Sequence, residues 1–112
     1  MPKLSAETRN LLDRRRIALL PRGSIVVVTS RGSIYDAEAL AEALGDGRVA
    51  AAGLDVFPDE PPPAGHPLLR SANALLTPHM AGTSQESIDE QHREAAAAIR
   101  QAAVRLLTRE KR

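Results

Sequence analysis

The sequence predicts an α/β protein built on a parallel sheet of about three strands flanked by helices. Three observations carry that expectation. Ile25-Val26-Val27-Val28 is an unbroken β-branched run, the pattern of a strand buried on both faces of a parallel sheet. Val49 to Leu54 and Ala74 to Leu76 read as two more strands. Helical segments alternate with these strands, which argues for parallel pairing through right-handed crossovers.

Each element has a local reason. Ser5 to Leu12 reads as a short helical turn. Asp13 is a suitable N-cap for a helix over Arg14 to Leu20, closed by Pro21, and Pro21-Arg22-Gly23 is a turn. Asp36 suits the cap of a helix over Ala37 to Leu44, with Leu40 and Leu44 on its apolar face and Gly45 or Gly47 at its end. The small residues of the second strand, Ala50 to Gly53, allow a helix or a ligand to approach closely. Five of the eight prolines fall between Pro58 and Pro67, so that stretch is a rigid loop. Thr83 with Glu86 fits a capping box for a long last helix, expected to reach about Leu107. Ile88, His92, Ala95, Ile99, Ala102 and Leu106 fall on one stripe of that helix, where His92 reads as a half-buried packing residue.

Composition narrows the function. The 112 residues are enough for one small domain with a core, and 43% of them are hydrophobic. The net charge of +1 points to no nucleic-acid or membrane surface, and Arg14 to Arg16 and the end from Arg109 to Arg112 read as solvated helix surface and a frayed tail. Without cysteine there is no disulfide framework and no thiolate metal site, and no metal is expected. There is no internal repeat, no apolar run of about 18 residues and no signal-peptide core, so a cytoplasmic protein is expected.

Three segments carry chemistry-bearing residues at or just beyond strand ends, where open α/β sheets place their sites. Ser30-Arg31-Gly32 follows the first strand. A guanidinium fork matches a carboxylate in bidentate fashion, although from position alone Arg31 equally suits a surface residue paired with an acid. Gly32 lets the backbone come close to a ligand. Asp55-Val56-Phe57-Pro58-Asp59-Glu60-Pro61 follows the second strand, and Thr77-Pro78-His79-Met80-Ala81-Gly82 follows the third. Glu60 and His79 are candidates for an acid–imidazole pair, in which the carboxylate selects the ring nitrogen that carries the proton. Taken singly, a His in Thr-Pro-His suits a turn as well, and Asp55 suits either an acceptor at a strand end or the cap of a turn.

These motifs, in this order and with these neighbours, resemble those of the NAD-dependent D-2-hydroxyacid dehydrogenases, over about Leu4 to Ala98. The resemblance implies a partial Rossmann-like, three-layer parallel sheet, the second half of a dinucleotide-binding domain. It implies hydride transfer between a nicotinamide cofactor, NAD or alternatively NADP, and a small 2-hydroxy or 2-oxo acid. By the same resemblance, Arg31 would bind the substrate's carboxylate and 2-oxo group, His79 would be the acid–base catalyst, and Glu60 would tune it. Asp55 would bind the carboxamide of the nicotinamide, and backbone near Thr29, Ser30 and Gly82 would line its site. His66 lies at a loop position that the family leaves free, so no role is expected for it.

The chain departs from the family pattern as well. It holds no G-x-G-x-x-G loop to cradle a pyrophosphate, no acidic residue for the adenine ribose and no substrate-binding domain. The expectation is therefore a fragment, residues 1–112 forming one domain that is half of a nucleotide-binding unit. Activity would then need a complementing chain with the phosphate-binding half, and an uncovered strand edge and apolar surface would favour self-association. The alternative is a non-catalytic remnant or binding module that keeps the half-domain fold.

Overall fold

The computed structural model describes residues 5–109, without the side chains of 106, 107 and 109. The chain falls into two compact units, Met1–His79 and Met80–Arg112.

The first unit holds helix α1 (Arg14–Leu19), strand β1 (Ser24–Val28), helix α2 (Ala37–Gly45), strand β2 (Val49–Leu54) and strand β3 (Ala74–Leu76), with short 3-10 turns at Gly32–Ile34 and Pro67–Arg70. The three strands are all parallel, in the order β1-β2-β3. The caps form as their residue types require. The Asp13 carboxylate accepts from the Arg16 N–H, and Asp36 accepts from the Ala39 N–H. Gly47, at φ +76°, carries the chain out of α2 through the left-handed region. Gly45 is instead the last helical residue. Ser5 to Leu11 forms hydrogen-bonded turns rather than a helix, and Leu12 bridges to Tyr35.

The core lies between the helices and one face of the sheet. Ile17 of α1 and Ala39, Leu40, Ala43 and Leu44 of α2 join Val26, Val28, Val49, Ala52 and Leu54. Leu40 is fully buried, a contribution of about 2–3 kcal/mol for one leucine. The other face is open. Ile25, Val27 and Leu75 are each about 70% exposed, so β1 is not buried on both faces as its composition suggests. A continuous β-branched run states only that both faces are apolar, and among the described residues no element of the first unit covers the second one.

The second unit is built around helix α3 (Gln85–Arg109), which runs beyond the expected end at Leu107. Its capping hydroxyl is that of Ser84, which accepts from the Ser87 N–H at 3.2 Å. Thr83, the expected cap, sits one residue too early, and its hydroxyl donates to the Met80 carbonyl at 2.7 Å. Ile88 is half-buried, while Ile99 and Val104 are exposed. His92 is exposed and not a half-buried packing residue, because nothing among the described residues of this unit packs over it. Leu106 and the tail from 110 to 112 lie outside the described side chains. Among the described residues no helix is long and apolar enough to cross a membrane.

Candidate active site

The carboxyl ends of the three strands bring the predicted residues together in the first unit. Register does most of the work. Leu54 pairs with Leu76, so the next residues, Asp55 and Thr77, are neighbours. The Thr77 N–H donates to the Leu54 carbonyl and the Asp55 N–H to that of Val28, which ties all three strand ends together. Asp55 is buried, and its Oδ1 accepts from the Thr77 hydroxyl at 2.5 Å. Thr77 escapes a reading by motif, yet the parallel register of two strands that each end in a polar residue would have found it.

Glu60 and His79 meet. Glu60 Oε2 lies 2.7 Å from His79 Nδ1, and Glu60 Oε1 accepts from the Phe57 N–H at 3.0 Å. The hydrogen bond to His79, and after it the Phe57 N–H, hold the Glu60 carboxyl below the usual carboxylate range, against partial desolvation and the charge of Asp55. Glu60 is therefore ionised at neutral pH and accepts only. Nδ1 then carries the hydrogen of this bond, and Nε2 is left to give or take a proton.

The backbone of His79 is held in the left-handed region, at φ +52°. Its N–H donates to the Thr77 carbonyl at 3.1 Å, an i to i+2 turn centred on Pro78, whose fixed φ suits that geometry. Non-glycine residues in this region cost roughly 1–3 kcal/mol and concentrate at functional sites.

Thr29 and Ser30 leave the end of β1 half-buried, and Arg31 is exposed beside them. One guanidinium nitrogen of Arg31 donates to the Ser30 carbonyl at 2.7 Å. Gly32 has a different reason from the one expected. A Cβ there would stand 1.9 Å from the carbonyl carbon of Phe57 and 2.3 Å from the nitrogen of Pro58. The close approach is to the chain's own loop, and it presses the Arg31 segment onto the segment that carries Glu60.

Two cavities flank the Glu60–His79 pair. One, of about 280 Å³, is lined by Asp55, Phe57, Glu60, Pro61, Pro62, Thr77, Pro78 and His79. The other, of about 250 Å³, is lined by Arg31, Gly32, Ser33, Val56, Phe57, Pro58, Glu60 and His79. The pair thus lies between a cavity lined by the buried Asp55 and a cavity lined by Arg31. Gly82 belongs to the second unit, where its carbonyl accepts from the Gln91 side chain at 3.4 Å. His66 serves its own loop, accepting weakly from the Leu68 N–H and meeting Phe57 edge-on at 5.3 Å. Among the described residues no cluster of His, Asp or Glu suits a metal ion.

Residues 1–81 match the family model of the D-isomer specific 2-hydroxyacid dehydrogenase, NAD binding domain. The chain belongs to this family. It is 42% identical over 84 residues to D-3-phosphoglycerate dehydrogenase of Methanocaldococcus jannaschii, covering 75% of this chain and 16% of that protein. It is 43% identical over 84 residues to glyoxylate reductase of Korarchaeum cryptofilum, covering 75% and 25%. The crystal structure of a D-isomer specific 2-hydroxyacid dehydrogenase from Xanthobacter autotrophicus Py2, in complex with NADPH and MES, matches with a TM-score of 0.69 and 47% identity, over 72% of this chain and 26% of that one. The chain thus spans a quarter or less of the length of these curated relatives, and the match lies in the family's NAD-binding domain.

Proposed function

We propose that this chain carries the acid–base and carboxylate-binding side of an NAD-dependent D-2-hydroxyacid dehydrogenase site. The observation that carries the reading is the Glu60–His79 pair, held at 2.7 Å between two open cavities. The substrate class is a small 2-oxo acid in reduction and the matching 2-hydroxy acid in oxidation. In reduction, His79 Nε2 gives a proton to the 2-oxo oxygen as C2 is reduced, and in oxidation it takes that proton back. Glu60 holds the ring so that Nε2 faces the substrate, and balances the charge of the protonated ring. Arg31 grips the carboxylate and orients the carbonyl.

The residues present fit a nicotinamide. Asp55 is a buried acceptor on the wall of the larger cavity, suited to a carboxamide N–H, with Thr29 and Ser30 as the other proposed contacts. Bound NADH would supply the hydride. The 112 residues contain no G-x-G-x-x-G loop for the pyrophosphate, so the proposed active species pairs this chain with a segment that does. Residues 1–112 act in this reading as the catalytic half of one nucleotide-binding domain in a cytoplasmic enzyme.

Complementation tests the reading. The chain mixed with a phosphate-binding half from a relative is expected to oxidise NADH with glyoxylate or another short 2-oxo acid. Arg31→Ala should then raise KM and lower kcat together, because the guanidinium meets the substrate in ground and transition states alike. An Arg31→Ala variant with unchanged KM would remove Arg31 from the proposed site.

A further inference from the structure

The buried phenol of Tyr35 plays no part in the proton transfer, yet it reaches the same machinery. Its hydroxyl donates to the Val56 carbonyl at 2.9 Å. The N–H of that same peptide group belongs to Phe57 and donates to Glu60 Oε1 at 3.0 Å. Glu60 Oε2 in turn meets His79 Nδ1 at 2.7 Å. Hydrogen bonds strung through one peptide group strengthen each other, because density drawn onto the carbonyl oxygen leaves the N–H a better donor. We propose that Tyr35 is a positioning residue for the acid–base pair, orienting and polarising through the Val56–Phe57 peptide the N–H that holds Glu60 against His79.

The surroundings of Tyr35 support a fixed role. It is 2% exposed, and its backbone is bridged to Leu12. It ends the 3-10 turn that starts at Gly32, whose missing Cβ admits the next peptide, Phe57–Pro58. One short segment thus grips the two peptides on either side of Phe57. A phenylalanine would fill the same space without donating, so packing alone leaves the hydroxyl unexplained. Among the described residues, the charged and titratable groups around Glu60 are its chain neighbour Asp59, His79 and Asp55 at the strand ends, Tyr35 behind the loop and Arg31 on the wall of the shared cavity.

The functional weight of this proposal rests on the reading of Glu60 and His79 as an acid–base pair, but its test needs no turnover. In the Tyr35→Phe chain, the Phe57 amide proton should move upfield and the Glu60 carboxyl, followed by carbon NMR, should titrate at higher pH. A folded variant in which neither changes overturns the proposal. Should Tyr35→Phe fail to fold, 3-fluorotyrosine gives a second route, since the chain has a single tyrosine. The more acidic phenol donates more strongly, so the Phe57 proton should move downfield and Glu60 should titrate lower; an unmoved proton and carboxyl overturn the proposal. A responsive relay in a protein whose reconstituted turnover ignores His79→Ala would sink the acid–base reading and leave Tyr35 in its place.

Discussion

Gly32→Ala should damage this protein far more than its single methyl suggests. The added Cβ meets three atoms at 1.9, 2.1 and 2.3 Å, all of them backbone atoms of Phe57 and Pro58. No side chain can swing aside, so the peptide must retreat by about 1 Å before the closest pair reaches a separation that real proteins tolerate. Overpacking of this kind costs about 1–3 kcal/mol. The same retreat stretches the bonds at 2.9 Å from Tyr35 to Val56 and at 3.0 Å from Phe57 to Glu60. Each net hydrogen bond lost adds about 1 kcal/mol. With the equivalent of one of these two bonds lost, the total is about 2–4 kcal/mol. With a urea dependence of about 1–2 kcal/mol per molar, the unfolding midpoint should fall by about 2 M. The assay is urea unfolding followed by circular dichroism at 222 nm. Gly45→Ala is the internal control: nothing lies within 4 Å of its Cβ and it ends a helix, so the same change there should be neutral or stabilising by about 0.5–1 kcal/mol. A Gly32→Ala midpoint within experimental error of the parent would refute the close-packing argument.

Other outcomes follow from the same geometry. At φ +52°, His79→Gly should be more stable than His79→Ala by about 1 kcal/mol, since only the glycine adopts that backbone freely; equal unfolding midpoints would count against strain at this position. Burial, with a contribution from Glu60, pushes the Tyr35 phenol up to about 12. With one tyrosine and no tryptophan, absorbance at 295 nm reads this group alone, and a midpoint near pH 10 in the folded chain would contradict its burial. The unfolded phenol ionises first, so stability should drop by up to about 2–3 kcal/mol between about pH 10 and 12. Glu60 has the opposite sign. Its lowered carboxyl stabilises the fold above the ordinary carboxylate range, and that share is lost as pH falls through the lowered value, so Glu60→Gln should flatten acid unfolding below about pH 4. Identical acid limbs would mean that the pair contributes nothing to the fold.

The strands were legible because β-branched and small-residue runs between turn residues leave few other choices. The expected bounds of β2 and β3 coincide with the observed ones, Val49–Leu54 and Ala74–Leu76. Asp13 and Asp36 were legible as caps because a short carboxylate before a helical run has one obvious partner. Thr83 and Ser84 are both hydroxyls that suit a cap, and only the observed start of α3 separates them. Exposed apolar surface on the first strand's side was expected from the missing partner strands, and Ile25 and Val27 show it; the burial of β1 on both faces was misread, since a sequence shows that a face is apolar and not what covers it. The place of Glu60 beside His79 could be anticipated from motif order. The reason for Gly32 could not, because its constraint comes from Phe57 and Pro58, which are distant in sequence. Nor could the left-handed backbone of His79, which arises from the turn about Pro78 at the end of β3.

The central claim is that His79, held by Glu60, moves the proton in a D-2-hydroxyacid dehydrogenase reaction. The most direct measurement grafts residues 1–81 in place of the matching segment of the Korarchaeum cryptofilum glyoxylate reductase and follows NADH oxidation with glyoxylate at 340 nm. The account expects an active graft whose kcat falls about 10²–10⁴-fold on His79→Ala while NADH affinity changes little. An active graft whose kcat is unmoved by His79→Ala would contradict it.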